Sequence, residues 1–323
     1  MIPIRDQIQS KSYPVVTQGI IGLNVLVFLF QTMQGENIER FIYTYGLVPA
    51  RYSVPEIAAH FNFGEQALAL LSFMFLHGGF FHLLGNMWSL YIFGDNVEDR
   101  MGPTRFLIFY LLCGWASGFA HLWSNWASTV PTIGASGAIA GVMGAYLILF
   151  PKARIITLIP IIFIPYFVEI PAIVFLGIWF LFQFFYASLP GPEGGGGIAW
   201  WAHIGGFVFG MIAVKLFSRL PGSHLDEKLS ETFARHSTPR LQRITPAADN
   251  DDLDLHGTVI ITPKEARQGT RKMISVPGDV ARRTFMVTIP PETENGTRIR
   301  LAGLGRKDGT RSGDIYLKIS LEG

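Results

Sequence analysis

FLIFYLLCGWASGFAHLW, residues 106–123, runs eighteen residues without an Asp, Glu, Lys or Arg. A helix needs about 20 mostly apolar residues to cross the hydrocarbon core of a bilayer. Working outward, the shortage of charge continues. From Phe106 to Ser218 the only such residues are Lys152, Arg154, Glu169, Glu193 and Lys215. Across all 323 residues 15% are charged, against about 25% in a soluble domain. A stretch so poor in charge cannot be the water-facing surface of a soluble fold, so it reads as membrane. The net charge of +2 gives no footing for a nucleic-acid partner. The one cysteine, Cys113, lies inside an apolar run. It excludes a disulfide framework within one chain and a cysteine-based zinc site.

Six apolar runs are candidate spans: 18–33, 78–94, 104–124, 134–150, 168–188 and 200–218. Several are short or contain glycine, which membrane helices tolerate where neighbours pack closely. Residues 34–77 form a long amphipathic loop rich in aromatics, among them Phe41, Tyr43, Tyr52 and Phe61. Ile155–Phe163 is too short to cross, with Pro160 and Pro165 punctuating it, and reads as interfacial. Arg5 and Lys11 precede the first run, but no small-x-small site follows it, so it reads as an uncleaved span.

Cations recur as Arg5 and Lys11, Arg100 and Arg105, Lys152 and Arg154, and Lys215 and Arg219. The opposite loops hold only Arg40 and Arg51. Six spans with both termini in the cytoplasm satisfy the positive-inside pattern, and seven do not. The expected setting is a multi-pass protein of a bacterial inner membrane.

Beyond Leu220 the composition turns polar, with Pro221-Gly, Thr238-Pro and Asp249-Asn-Asp-Asp, and residues 221–254 read as a linker. Residues 255–323 then alternate in short runs: Thr258–Ile261, Lys272–Val276, Thr284–Ile289, Thr297–Leu301 and Asp314–Leu321. Asn295-Gly and Asp308-Gly separate some of them. The expected fold is therefore an all-α polytopic membrane domain over 1–220 with six transmembrane helices. A small all-β soluble domain over 255–323, a β-sandwich on the cytoplasmic side, follows the linker.

Polar groups inside spans are costly unless partnered, which makes them functional candidates. With six spans, the second, fourth and sixth all start at the outer face. His82 and Asn86, at i and i+4, share a face in the first half of the second span. Ser136 lies in the first turn of the fourth span and His203 in the first turn of the sixth. Four polar side chains from three helices thus fall at one shallow depth. A serine hydroxyl needs an adjacent base, which His203 supplies if the fourth and sixth spans touch. Gly137, Gly141 and Gly144 in one span, with Gly205, Gly206 and Gly210 in the other, allow that approach. No acidic residue is placed to orient His203, so a Ser–His dyad is expected. His82, Asn86 and the backbone N–H of Ser136 are candidate donors to a tetrahedral oxyanion.

Gly134-Ala-Ser136-Gly137, His77-x4-His82-x3-Asn86 and Ala202-His203-x-x-Gly206 resemble the signature set of rhomboid intramembrane serine proteases, over about residues 15–218. The resemblance implies catalytic Ser136 and His203, with His82, Asn86 and Gly134 at the oxyanion site and no cofactor. It also implies single-span membrane protein substrates cut near their outer ends, with the fifth span and the loop 189–199 gating access. Members often carry a Trp-Arg pair in the first loop, and none stands here.

Residues 255–323 resemble a C-terminal β-domain of DnaJ-type co-chaperones. The stretches that carry this are Lys264-Glu-Ala-Arg-Gln-Gly269, Val276-Pro277-Gly278, Ile289-Pro-Pro-Glu-Thr293 and Gly313-Asp-Ile-Tyr-Leu-Lys318. Without a His-Pro-Asp tripeptide, stimulation of a partner ATPase is not implied. A peptide or chaperone partner bound by strand addition is weighed against a passive fold module.

Each motif alone has a plain structural reading. Gly-x-Ser-Gly in a membrane helix usually means packing, and Asn86 or His203 alone usually bonds a neighbouring helix. His77 and His121 read as structural, and Glu98 and Arg100 as anchors of a helix end. A metalloprotease would carry His-Glu-x-x-His, which is absent. A transporter would show internal repeats with polar sites at mid-depth. The competing reading is an inactive relative that binds membrane proteins, yet such relatives typically lack the serine or the histidine.

Overall fold

The computed structural model describes residues 1–323 except 9, 11, 162–163, 190–198, 220–223, 234–237, 239–240, 245–252, 278–282, 309–310 and 322–323. The loop 189–199, apart from its first and last residues, and the acidic run at 249–252 lie outside the described residues. The chain divides into two compact units, Met1–Ala234 and Arg235–Gly323.

In the first unit the described helices of eight residues or more are α1 (Val15–Thr32), α2 (Ile38–Tyr45), α3 (Phe63–Ser72), α4 (Phe80–Met101), α5 (Pro103–Ser124), α6 (Ser136–Leu149), α7 (Ala172–Ala187), α8 (Trp200–Phe217) and α9 (His224–Thr232). By length and composition α1, α5 and α8 are each long and apolar enough to cross a membrane. The 3-10 extension of α3 and α4 meet at a 76° bend and pass that test together, while α6 and α7 are shorter apolar helices. Leu26, Phe119, Trp123, Leu181, Ile212 and Leu216 stand exposed along these helices. Apolar side chains in such number on the outside of a helical unit are stable only against lipid or protein.

Carboxylates of this unit sit at helix starts, where backbone N–H groups lack intrahelical partners. Glu98, from the end of α4, accepts from the N–H groups of Val16 and Thr17 at 2.9 and 2.7 Å, and so caps α1. Asp99 beside it takes the Ser12 N–H and hydroxyl. Glu98 therefore anchors a helix end, that of α1. Between α4 and α5, Gly102 adopts φ +86°, a left-handed value that favours glycine, and Pro103 opens α5. Asp226 of α9 then accepts from the Thr104 N–H at 2.9 Å. Thus, within the stretch read as polar linker, residues 224–232 form a helix held to the first unit.

Within the segment read as too short to cross, residues 155–161 form strand: β2 (Arg154–Ile161) pairs with β3 (Ile164–Pro171) and with β1 (Ile2–Asp6), in the antiparallel order β1-β2-β3. Accordingly the expected fifth span begins as a helix only at Ala172, not at 168. The runs are rich in β-branched isoleucine, valine and threonine, which suit a pleated surface. Pro160 and Pro165 face each other in the register beside the turn, where a missing N–H costs least.

The first loop is also ordered by one cation. Arg51 is fully buried. Its guanidinium lies 3.6 Å over the Phe61 ring and donates to the carbonyls of Thr44 (2.9 Å) and Tyr43 at the end of α2. Those carbonyls would otherwise be orphans of the helix C-terminus. Arg51→Met is expected to lower stability by about 2–4 kcal/mol, from two charge-assisted hydrogen bonds and a cation–π contact. Thermal unfolding in detergent, with proteolysis mapped over 34–77, checks this. An unchanged midpoint and an uncut loop would show that Arg51 does not hold it.

Besides a two-residue pair, Lys307–Asp308 with Arg311–Ser312, the strands described in the second unit are β4 (Leu241–Arg243), β5 (Leu255–Ile261), β6 (Thr270–Val276), β7 (Arg283–Ile289), β8 (Arg298–Leu301) and β9 (Ile315–Leu321), with one short helix among the described residues, α10 (Pro263–Gln268). They form two three-stranded sheets, β5-β9-β8 and β4-β6-β7. Val259, Ile261, Leu317 and Ile319 of the first sheet share one buried core with Ile274, Val276, Val287 and Ile289 of the second. Each of the five alternating runs read from the sequence overlaps a strand, with Thr297 and Asp314 just outside. Lys272 is buried and satisfied, donating to Glu265 and to the Thr238 carbonyl.

Candidate active site

Glycine sets the distance between α6 and α8. A Cβ added to Gly206 would lie 2.0 Å from the Gly137 carbonyl oxygen, and one added to Gly210 would lie 2.0 Å from that of Gly141. One on Gly144 would meet the Phe207 carbonyl at 2.3 Å. Backbone touches backbone along this seam, as small residues permit in apolar helix pairs. The seam ends at the helix starts, where Ser136 is the first residue of α6 and His203 lies in the first turn of α8. There the Ser136 Oγ is 2.7 Å from His203 Nε2.

His203 is held on its other side as well. Its Nδ1 is 2.7 Å from Oε1 of Gln183 on α7. The rings of Trp179 and Trp200 flank the imidazole at centroid distances of 6.1 and 6.2 Å. Gln183 was not among the residues singled out from the sequence. The signal was present, since it is an amide within the aromatic run Phe180-Leu-Phe-Gln-Phe-Phe.

The donors gather opposite the serine. His82 Nδ1 accepts the Gly78 N–H at 3.2 Å, so its ring proton is on Nε2. That atom lies 3.0 Å from where a Gly134 Cβ would be, and Gly134 has φ +132°. A side chain at Gly134 would therefore both strain the backbone and strike the His82 ring. Asn86, one turn on from His82, is buried with its Nδ2 lacking a partner. As the first residue of α6, Ser136 has an N–H that no carbonyl of its own helix can take. Ser136, His203, His82, Asn86 and Gly134 all line one cavity of about 560 Å³. His82, Ser136 and His203 each lie in the first turn of a helix, so three helix dipoles direct positive ends into it.

His77 and His121 support the cavity from outside. The His77 backbone is clamped by Gln31 of α1, which donates to its carbonyl and accepts from its N–H, and its ring packs edge-on against His82. His121 bonds Thr132 at 2.7 Å in the segment leading to Ser136.

With this geometry established, comparison with known proteins places the domain. Residues 64–220 match the rhomboid domain family. That region of the chain is similar to rhomboid domains. Residues 255–323 match the DnaJ C terminal domain family. The chain is 27% identical over 212 residues to Rhomboid protein 1, mitochondrial, of Saccharomyces cerevisiae, covering 62% of this chain and 53% of that protein. It is 31% identical over 137 residues to a putative rhomboid protease of Bacillus subtilis, covering 42% of this chain and 63% of the other. To the human presenilin-associated rhomboid-like protein, mitochondrial, it is 30% identical over 151 residues, covering 46% and 35%. The chain thus spans about half the length of the yeast relative. The rhomboid match takes in every residue named at the cavity, from Gly78 to His203.

An unspent donor makes a sharp prediction. Asn86 Nδ2 has no partner in the resting protein, so Asn86→Ala should leave stability little changed. If Nδ2 serves the oxyanion, kcat should fall about 10²–10³-fold with KM nearly constant. Kinetics on a transmembrane substrate checks this, and an unchanged kcat would remove Asn86 from the oxyanion site.

Proposed function

We propose that this protein is an intramembrane serine protease that cleaves single-span membrane proteins near the outer face of the bilayer. The 2.7 Å approach of Ser136 Oγ to His203 Nε2, in a cavity that also holds unspent donors, carries the reading. Six spans (α1, α4, α5, α6, α7 and α8) would open the cavity to the outer side and place both termini in the cytoplasm. The second unit, as a β-sandwich there, would bind extended peptide by strand addition.

In this mechanism the Ser136 Oγ attacks the scissile carbonyl carbon as His203 Nε2 takes its proton. The resulting oxyanion is met by His82 Nε2–H, Asn86 Nδ2 and the Ser136 N–H, aided by the helix starts. His203 returns its proton to the leaving amine as the C–N bond breaks. Water, activated by the same nitrogen, then releases the acyl group and restores Ser136. A substrate must expose its carbonyls, so a stretch that destabilises its own helix near the outer end is favoured.

The test uses the full chain in liposomes with a single-span substrate and a fluorophosphonate probe. Cleavage should be blocked by the probe, with label on Ser136, and should survive a metal chelator. Loss of cleavage on chelation, with no label on Ser136, would replace the serine mechanism by a metal one. If no substrate is cut and no probe attaches, the reading moves to an inactive binder of membrane proteins.

A further inference from the structure

We infer that Gln183 is a positioning residue for His203, holding the imidazole in the one tautomer that can take the Ser136 proton. The inference rests on the protease reading above and concerns a residue outside the set that reading uses.

A neutral imidazole carries its proton on either nitrogen, and only a ring with Nε2 bare can act as base toward Ser136. The amide decides between the two forms. Gln183 Oε1, 2.7 Å from His203 Nδ1, can only accept, so Nδ1 must carry the proton. The opposite amide orientation is disfavoured, because Gln183 Nε2 lies 3.3 Å from the Trp179 carbonyl oxygen, and a flip would set two oxygens against each other. Both side chains are buried, Gln183 to 7% exposure and His203 to 9%, so bulk water is poorly placed to replace the amide.

The bond also works during the reaction. When the Oγ proton reaches Nε2, the ring becomes an imidazolium that still donates from Nδ1 to Gln183. A hydrogen bond from a cation is stronger than one from a neutral ring. The amide therefore stabilises the charged state more than the resting one, which is what raises kcat. An amide suits a helix like α7, since a carboxylate there would be costly to bury.

The experiment compares wild type with Gln183→Leu, which keeps bulk but has no acceptor, and Gln183→Glu, which keeps an acceptor oxygen. All are full chains in liposomes, assayed for cleavage across pH and for fluorophosphonate labelling rate. Gln183→Leu should lose about 10–100-fold in kcat, with KM within about twofold and labelling slowed in parallel. Gln183→Glu should recover most of kcat. Its acidic limb of kcat/KM should move to higher pH, because a carboxylate beside the ring favours imidazolium. Gln183→Leu cleaving within about twofold of wild type overturns the inference and leaves the protease reading intact. Equal loss of kcat in both variants, with an unmoved pH limb, also overturns it, since packing alone would then explain the residue. If Gln183→Leu fails to fold, the pH limb of Gln183→Glu decides alone. A wild type that neither cleaves nor labels removes the protease reading, and this inference with it.

Discussion

Ser136→Ala and His203→Ala should each lower the cleavage rate about 10⁵–10⁶-fold, and the double variant should be no worse than either single one. The two side chains meet at 2.7 Å, and in the proposed mechanism they act as one unit: a bare serine is a weak nucleophile, and a histidine without the serine has nothing to activate. Losses in such a unit do not add, as measurements on serine proteases establish. Residual cleavage above background should persist in all three, because the oxyanion donors and the cavity remain. Stability separates chemistry from folding. Ser136→Ala gives up one hydrogen bond at a helix start and should shift unfolding by about 1 kcal/mol. His203→Ala also leaves a cavity between Trp179 and Trp200 and strips Gln183 of its partner, so its unfolding midpoint should fall further. Single-turnover cleavage of a transmembrane substrate, with unfolding measured alongside, decides the matter. Wild-type cleavage by Ser136→Ala would end the assignment, and additive losses in the double variant would mean that the two residues serve separate steps.

The parts of this fold that were legible in the sequence were those set by solvent. Lack of charge marked each of the apolar helices, because no soluble surface tolerates it, and period-two alternation marked the strands from β5 onward. Shared depth then picked out Ser136, His203, His82 and Asn86, since polar residues at the starts of alternate spans must lie on one side. What escaped depended on tertiary pairing. Residues 155–161 are mostly apolar with one proline, and nothing local says that β1, more than a hundred residues away, completes their sheet. Arg51 was counted as a loop charge, although its place over Phe61 and under the α2 carbonyls orders the loop. Gln183 was overlooked for a geometric reason. Depth was reckoned from the starts of three helices, whereas α7 runs the other way and delivers a residue from near its end.

Gly206→Ala and Gly210→Ala should each abolish useful activity, though neither residue touches the cavity chemistry as Ser136 or His203 does. The added methyl would fall 2.0 Å from a backbone carbonyl oxygen, Gly137 in one case and Gly141 in the other. A flexible side chain could turn aside, but a helix backbone cannot, so α6 and α8 must move apart. Ordinary overpacking costs about 1–3 kcal/mol, and contact with backbone on both sides belongs at the upper end of that range or beyond. The activity loss has a separate cause. Ser136 and His203 sit at the open end of the same seam, and a displacement of about 1 Å between reacting groups can cost about 10²-fold. Gly206, three residues from His203, should therefore damage cleavage more than Gly210 at equal loss of stability. Gly177→Ala on α7 is the control, because no atom lies within 4 Å of its added Cβ. That substitution should be neutral or stabilise by about 0.5–1 kcal/mol, as alanine for glycine does in a helix. Unfolding midpoints and cleavage rates for the three variants test the argument together. If Gly206→Ala and Gly210→Ala fold and cleave like Gly177→Ala, the close seam is not what brings the serine to its base.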